Sequence, residues 1–329
     1  AVLGVEAECR IAQGLGKAHY DLGWHVTGTA GVCGAAIAAG RALKLDPRQM
    51  ACAIGIAATQ SSGFREMFGS MCKSLHAGTA ARNGLVAAMM AKAGFTSSEM
   101  VLEAPRGMIR VMSPQPAFER VLDGIGRRWE TMANTYKPYA CGLVIHPVID
   151  ACRTIRSEQG LAPQSIESVN LEVHPLVLEL TGKTRPTNAL EAKFSVFHAV
   201  AATLLDGASR PSHFTDAFAR DSGVVALRDR VTARVRDELR KDEAHVVVTL
   251  KNGSRREAHT THALGSLERP MTDDDLSGKF RELAAEHLSS PTTELVLEMC
   301  WKIAAAPAVS PLFDRLLVPQ GAAAAESGH

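Results

Sequence analysis

The sequence predicts a mainly α protein: a multi-helix body into which a smaller α+β domain with an antiparallel sheet is inserted. Three observations carry this. Apolar residues recur at helical spacing from the start of the chain to about position 122, with short loops between the runs. Strand-like alternation of apolar and polar residues is confined to residues 168–261, where Asn252-Gly253 marks a hairpin. The composition is rich in Ala, Gly and aliphatics with only 5% aromatics, which suits closely packed helices rather than a β-sandwich.

Taken in order, residues 1–20 form a helix with Val2, Val5, Ile11 and Leu15 on one stripe. Residues 31–45 are dominated by Ala and Gly, so this helix is stable only where neighbouring backbones come close. Asp46-Pro47-Arg48-Gln49 supplies an N-cap, a first-turn proline and a capping-box Gln for a helix running to about residue 60. After a loop over 64–73, a helix carrying Leu75, Leu85, Met89 and Met90 stops at Gly94. Thr96-Ser97-Ser98-Glu99 caps a short helix that ends before Pro105, and 115–122 forms another.

The character changes near Arg127. An extended entry at 134–139 leads to a helix over 143–159, a strand over 168–174, a helix over 192–205 and strand-like segments at 231–239, 245–250 and 255–261. Thr272-Asp273-Asp274-Asp275 restarts the helical pattern, with Leu276, Phe280, Leu283 and Leu288 on one stripe, and a last helix covers 293–305. The predicted organisation is a helical domain over 1–130, an α+β lid over 131–265, helices over 266–318 that return to the helical domain, and a disordered tail over 319–329. The chain opens in helical pattern without a cap, which predicts that the first part of the helical domain lies upstream.

Formal charge is +1 with acids and bases evenly mixed, so no basic stripe points to nucleic acid or a membrane surface. The seven cysteines contain no C-x-x-C pair, consistent with reduced thiols in the cytoplasm. No uninterrupted apolar run reaches the roughly 18 residues of a membrane span, and no signal peptide opens the chain.

Two segments carry candidate chemistry. Gly69-Ser70-Met71-Cys72-Lys73-Ser74-Leu75-His76 places a lysine at the start of a long helix, with His76 one turn further on nearly the same face. Gly23-Trp24-His25-Val26-Thr27-Gly28 places His25 at the mouth of another helix. Free backbone N–H groups at a helix start favour anions, so two such starts with basic side chains predict a pocket for a small, multiply charged anion. Lys137 is a third candidate. His and Lys suit proton transfer beside carboxylates, because His titrates near neutrality and a Lys near another cation has a lowered pKa.

Other motifs are set aside. His259-x-x-His262 ends a hairpin strand, where the two side chains point to opposite faces, and no third ligand is near in the sequence, so no metal is predicted. The glycines at 28, 31 and 34 follow no strand and are not a dinucleotide fingerprint; Ser61-Ser62-Gly63 lacks the frame of a nucleophile elbow, and no P-loop occurs. No cofactor is predicted.

The blocks 23–31, 69–78, Ala80-Ala81-Arg82-Asn83-Gly84, Tyr136-Lys137-Pro138-Tyr139-Ala140-Cys141, His146-Pro147-Val148-Ile149-Asp150 and Ala192-Lys193-Phe194-Ser195 resemble the MmgE/PrpD family, with similarity extending to about Ala285. The resemblance implies a helical domain interrupted by an α+β lid, a homodimer, and metal-independent chemistry on di- or tricarboxylates. The family includes 2-methylcitrate dehydratase, cis-aconitate decarboxylase and iminodisuccinate epimerase. It puts His25, Lys73 and Lys137 at family active-site positions, with Thr27 and Ser70 lining the pocket.

Three departures bear on the reaction. The family's N-terminal helical region of roughly a hundred residues, with an Asp-Asp…His-Pro block, has no counterpart here. Gly142 stands where decarboxylase-like members carry a histidine, and His198 where some members carry a tyrosine after Phe-Ser. Arg65 is unusual in the pocket loop and suits an extra substrate carboxylate. The expectation is therefore a lyase or isomerase acting through a carbanion beside a carboxylate, most like a 2-methylcitrate dehydratase, with epimerisation or decarboxylation as alternatives. Catalysis is assigned to His25, Lys73 and Lys137, and substrate binding to Thr27, Arg65, Ser70, His76 and His198. The competing reading is a non-catalytic family member that binds a small anion.

Overall fold

The computed structural model describes residues 1–157 and 160–316, and the chain divides into two compact units, Ala1–Asn134 and Thr135–His329. The first unit is all helix: α1 (Val2–Asp21), α2 (Val26–Thr29), α3 (Gly31–Ala42), α4 (Pro47–Ala58), α5 (Cys72–Lys92), α6 (Met108–Met112) and α7 (Phe118–Leu122). Its core consists largely of small residues, among them Ala30, Cys33 and Ala36 near or on α3, Ala53 and Ala57 on α4, and Ala87, Ala88 and Ala91 on α5.

The Ala/Gly helix α3 packs against α1, α4 and α5, as its composition requires. At the α3–α5 crossing a Cβ on Gly84 would lie 2.5 Å from the Ala35 Cβ and 2.6 Å from the Ala36 backbone nitrogen. The two backbones are in contact there, and dispersion between them replaces the apolar area that small side chains do not supply. The predicted capping box opens α4: Asp46 accepts from the Gln49 amide at 2.8 Å, and the Gln49 side chain accepts from the Asp46 amide at 3.2 Å.

A buried ion pair ties α1 to the end of this unit. Arg10 meets Glu6 at 2.6 Å and donates to the carbonyls of Asp123 at 2.8 Å and Arg128 at 2.6 Å. Glu6 also accepts from the Thr131 amide and hydroxyl. Burial works to raise the Glu6 pKa, but the Thr131 and Arg10 hydrogen bonds outweigh it and bring the carboxyl down to about 2.

The second unit contains α8 (His146–Ser157), β1 (Ile166–Val173), α9 (Pro175–Thr181), α10 (Ala189–Ala192), α11 (Val196–Asp206), α12 (Asp216–Arg220), α13 (Ser222–Arg228), β2 (Val231–Val235), β3 (Ala244–Leu250), β4 (Arg255–Thr260), α14 (Asp273–Ala284), α15 (Ser290–Trp301) and α16 (Ser310–Leu316). The sheet order is β2-β1-β3-β4. Helices α8 and α11 pack on it through Ile149, Cys152, Val200 and Leu204, against Val169, Leu171, Val246 and Val248. The β3–β4 hairpin turns at Asn252-Gly253 as predicted, with Gly253 at φ +80°.

One expectation is corrected. The sheet is mixed, because β1 pairs with β2 in parallel (Val169 opposite Val231, Val173 opposite Val235) while its other neighbour β3 is antiparallel. The helices α9 to α13 supply the long crossover that parallel pairing needs, a feature that alternation within one strand does not encode. Helices α14 to α16 fall within the second unit. Local contacts account for this: Lys279 on α14 donates to the Lys137 carbonyl, and Arg210 reaches Glu282 at 3.8 Å.

Smaller differences are local. The expected helix over 192–205 is broken into α10 and α11, with Ser195 capping the second by accepting from the His198 amide at 3.1 Å. The segment expected over 231–239 leaves strand conformation after Val235. The last two residues of the helix expected over 143–159, and the tail expected over 319–329, lie outside the described residues. Among the described residues no helix is long and apolar enough to cross a membrane.

Candidate active site

Two short extended segments in the first unit set up its basic cluster. The His25 amide donates to the Gly63 carbonyl at 3.0 Å and the Arg65 amide to the Gly23 carbonyl at 2.8 Å. This pairing stacks Trp24 on Phe64 and leaves His25 as the N-cap residue of α2, in an extended conformation that continues into the helix. Its ring then meets α5. His25 Nδ1 lies 2.9 Å from His76 Nδ1, and the His25 ring stands edge-on to Phe68 at 5.0 Å. Lys73 Nζ lies 5.2 Å from the centroid of the same Phe68 ring. Gly63 makes room: at φ +121°, a Cβ there would press to 3.1 Å from the His76 ring.

Burial is the main cause that drives the His25 pKa down to about 4, and the Lys73 ammonium and His76 add to it. His25 is therefore neutral at pH 7. A hydrogen bond between two Nδ1 atoms requires one ring to donate and the other to accept. The neutral His25 imidazole beside an ammonium can take up a proton when a polyanion arrives, since negative charge nearby favours the imidazolium.

The helix starts themselves contribute less than expected. The Lys73 and Ser74 amides at the start of α5 are occupied by the Ser70 and Met71 carbonyls at 3.2 and 3.1 Å, and the Gly28 and Thr29 amides of α2 by the His25 carbonyl. Tightened first turns consume these donors internally. The positive character of the cluster rests on Lys73.

The structure brings His25, Lys73 and His76 together; the other expected residues of this unit are engaged nearby. Arg65 donates to the Tyr20 carbonyl at 3.1 Å, with its guanidinium 4.0 Å above the Tyr20 ring. Ser70 is exposed and its hydroxyl donates to the Met67 carbonyl at 2.7 Å. Thr27 is exposed on the wall of a groove of about 290 Å³, with Gly31 and Ala77.

In the second unit Lys137 is exposed and donates to the Cys141 carbonyl at 3.3 Å, while its own carbonyl accepts from Lys279. His198 is completely buried on α11, where Nε2 donates to the His213 carbonyl at 2.7 Å and the ring packs on Phe214 and Phe218. A Cβ on Gly142 would lie 2.7 Å from the Thr181 methyl group, so a larger residue there requires a shift of α9.

Two basic residues near Lys137 were not among the expected site residues. His146, at the start of α8, is completely buried and stands edge-on to Tyr139 at 5.2 Å. Burial, then the Lys137 charge, takes its pKa down to about 3. Lys279 reaches in from α14, and neither its spacing nor its neighbours in the sequence signal that position.

Residues 259–262 are also different from expectation. His259 bonds Glu243 at 2.9 Å, whereas His262 lies beside two carboxylates, bonding Asp242 at 2.8 Å with Glu268 at 3.7 Å. These three groups could hold an ion by distance alone. Arg240, however, sits 3.6 Å from Asp242 and 3.4 Å from His262 Nε2, so the arrangement is already balanced by a guanidinium.

Residues 1–121 match the family model for the MmgE/PrpD N-terminal domain, and residues 139–303 match that for the C-terminal domain. The chain belongs to the MmgE/PrpD family. Curated relatives of this MmgE/PrpD chain include a cis-aconitate decarboxylase of Aspergillus terreus, 28% identical over 97% of this chain and 70% of that protein. A cis-aconitate decarboxylase-like protein, oryM, of Aspergillus oryzae is 26% identical, covering 88% and 64% respectively. The cis-aconitate decarboxylase of Homo sapiens is 26% identical, covering 84% and 59%.

Proposed function

We propose that this protein is a cofactor-independent lyase that develops carbanion charge beside a carboxylate of a small di- or tricarboxylate. The observation that carries the reading is neutral His25 in contact with His76 at 2.9 Å, with Lys73 next to it. Lys73 holds a substrate carboxylate. The incoming negative charge raises the proton affinity of His25. In decarboxylation the bond to a carboxylate breaks, CO₂ leaves, the electron pair remains on carbon in conjugation, and a proton from the His25 imidazolium ends on that carbon. The fixed ammonium stabilises the charge that develops on the remaining carboxylate oxygens.

The names of the relatives favour loss of CO₂ from cis-aconitate. A second reading is loss of water from a hydroxy-tricarboxylate such as 2-methylcitrate, with His25 removing the proton beside the carboxylate and the resulting imidazolium passing it to the departing hydroxyl, which leaves as water. Gly142 and His198, which depart from the decarboxylase-like pattern, favour it. A homodimer in the cytoplasm belongs to the same proposal, on the family resemblance and the cysteine usage.

Proton NMR in deuterated buffer with cis-aconitate, 2-methylcitrate, citrate and iminodisuccinate tests the reading. Turnover of one of these, or deuterium entry at a carbon next to a carboxylate, is expected, and Lys73→Gln should remove it. If none of the four exchanges or reacts, the enzyme reading fails and a non-catalytic anion binder takes its place.

A further inference from the structure

A cleft of about 340 Å³ lies wholly within the second unit, between α14, Arg153 of α8, residues 138–139 and the 208–210 turn. Tyr139, Arg153, Ser209, Arg210, Lys279 and Glu282 are among the residues that form its walls. Three cations, Arg153, Arg210 and Lys279, line it together with three carboxylates, Asp274, Asp275 and Glu282. Asp275 is satisfied by the Thr272 amide at 2.9 Å and hydroxyl at 2.8 Å, and Glu282 faces Arg210, which also binds Asp206 at 2.6 Å. The two remaining cations have neutral partners only. Lys279 donates to the Lys137 carbonyl, and Arg153 donates to the Tyr139 hydroxyl at 2.8 Å. Neither forms an ion pair among the described residues; Asp150 and Asp275 act on Arg153 from beyond ion-pair distance.

Half-burial and the neighbouring Lys137 charge both oppose the ammonium form of Lys279, and no carboxylate offsets them. Ser209 adds a second, independent sign of a vacant partner position: it is 8% exposed and its hydroxyl has no hydrogen-bond partner. Buried hydroxyls without partners are rare because desolvation goes uncompensated.

We propose that this cleft binds a small oxyanion, a carboxylate or a phosphate, between Lys279 and Arg153 with the Ser209 hydroxyl as a third donor. The planar guanidinium of Arg153 offers the fork that either group accepts, and Lys279 supplies the point charge. Because Lys279 holds the Lys137 carbonyl, a bound anion would share its ammonium with the loop that carries Lys137. The proposal does not depend on the reaction assigned above.

The test is isothermal titration of the full chain carrying Lys73→Gln, which silences the first-unit cluster, with malonate and separately with inorganic phosphate. Saturable binding at one site is expected, with a Kd on the order of 1 mM. Adding Lys279→Gln or Arg153→Gln should weaken it about tenfold each, as loss of a charge-assisted hydrogen bond does. Tighter binding of malonate identifies a carboxylate ligand, and tighter binding of phosphate a phosphate. No saturable binding by roughly 50 mM, well above that Kd, overturns the proposal, as does binding undiminished in either double variant. Retention of the wild-type circular dichroism spectrum in both confirms that a loss is not one of folding.

Discussion

In the first unit His25 and His76 meet at 2.9 Å with Lys73 beside them, at the half-exposed start of a helix; in the second, His146 is completely buried and the lysines around it reach only backbone carbonyls. The difference follows from how each core is filled. Helices α3 and α5 touch backbone to backbone through Ala and Gly, and Lys73 and His76 at the start of α5 meet His25 at the start of α2. The sheet of the second unit is covered by Ile, Val and Leu side chains, and a layer that thick encloses an imidazole at its edge. His25 is buried too, but less completely than His146, and its pKa falls less far, to about 4 against about 3. On the proposed function, proton transfer belongs to the His25 cluster.

The cores should fail in opposite directions. Ile149 on α8 is completely buried against the sheet, and Ile149→Ala leaves a cavity in a tightly filled layer. A loss of about 2–5 kcal/mol is expected in chemical denaturation. A loss under 1 kcal/mol would mean that this layer collapses easily, and the contrast drawn here would weaken. Lys73→Ala comes next. It should lower turnover by about 10²–10³ while leaving the far-ultraviolet circular dichroism spectrum unchanged. Full activity in that variant would remove the first unit's claim to the chemistry.

Addition of atoms is what should break the first unit. Gly84→Val inserts its branch where a Cβ already stands 2.5 Å from Ala35, and overpacking of this kind costs about 1–3 kcal/mol. Unchanged stability would show that α3 and α5 separate without penalty.

The sequence made parts of this legible for physical reasons that can be named. The Asp46-Pro47-Gln49 cap and the Asn252-Gly253 turn are local, decided within four residues, and both formed as read. Lys73 and His76 share a face through helical spacing alone. By contrast, parallel pairing of β1 with β2 depends on a crossover of more than fifty residues between Val173 and Val231. The occupied amides at the start of α5 depend on a tightened first turn whose carbonyls come from Ser70 and Met71, with no dedicated residue type to signal it. Lys279 and His146 approach Lys137 from elements far apart in the chain, and neither spacing nor composition records such a meeting.

The smallest expected effects separate the two clusters most cleanly. Because folding lowers the His25 pKa from 6.5 to about 4, its neutral form contributes stability that is fully present above pH 6.5 and is lost as pH falls toward 4. Removing the Lys73 charge by Lys73→Gln should raise the His25 titration seen in its ring C–H proton resonances. The rise should stop short of 6.5, because burial, the first cause, stays in place. His146 has the wider window, from 6.5 down to about 3, and the Lys137 charge follows burial among its causes, with Lys279 the least of them. Lys279→Gln should therefore move His146 upward by less than Lys73→Gln moves His25. If the His146 shift is the larger of the two, charge rather than burial governs the second cluster, and the division between a titrating site and a sealed one does not hold.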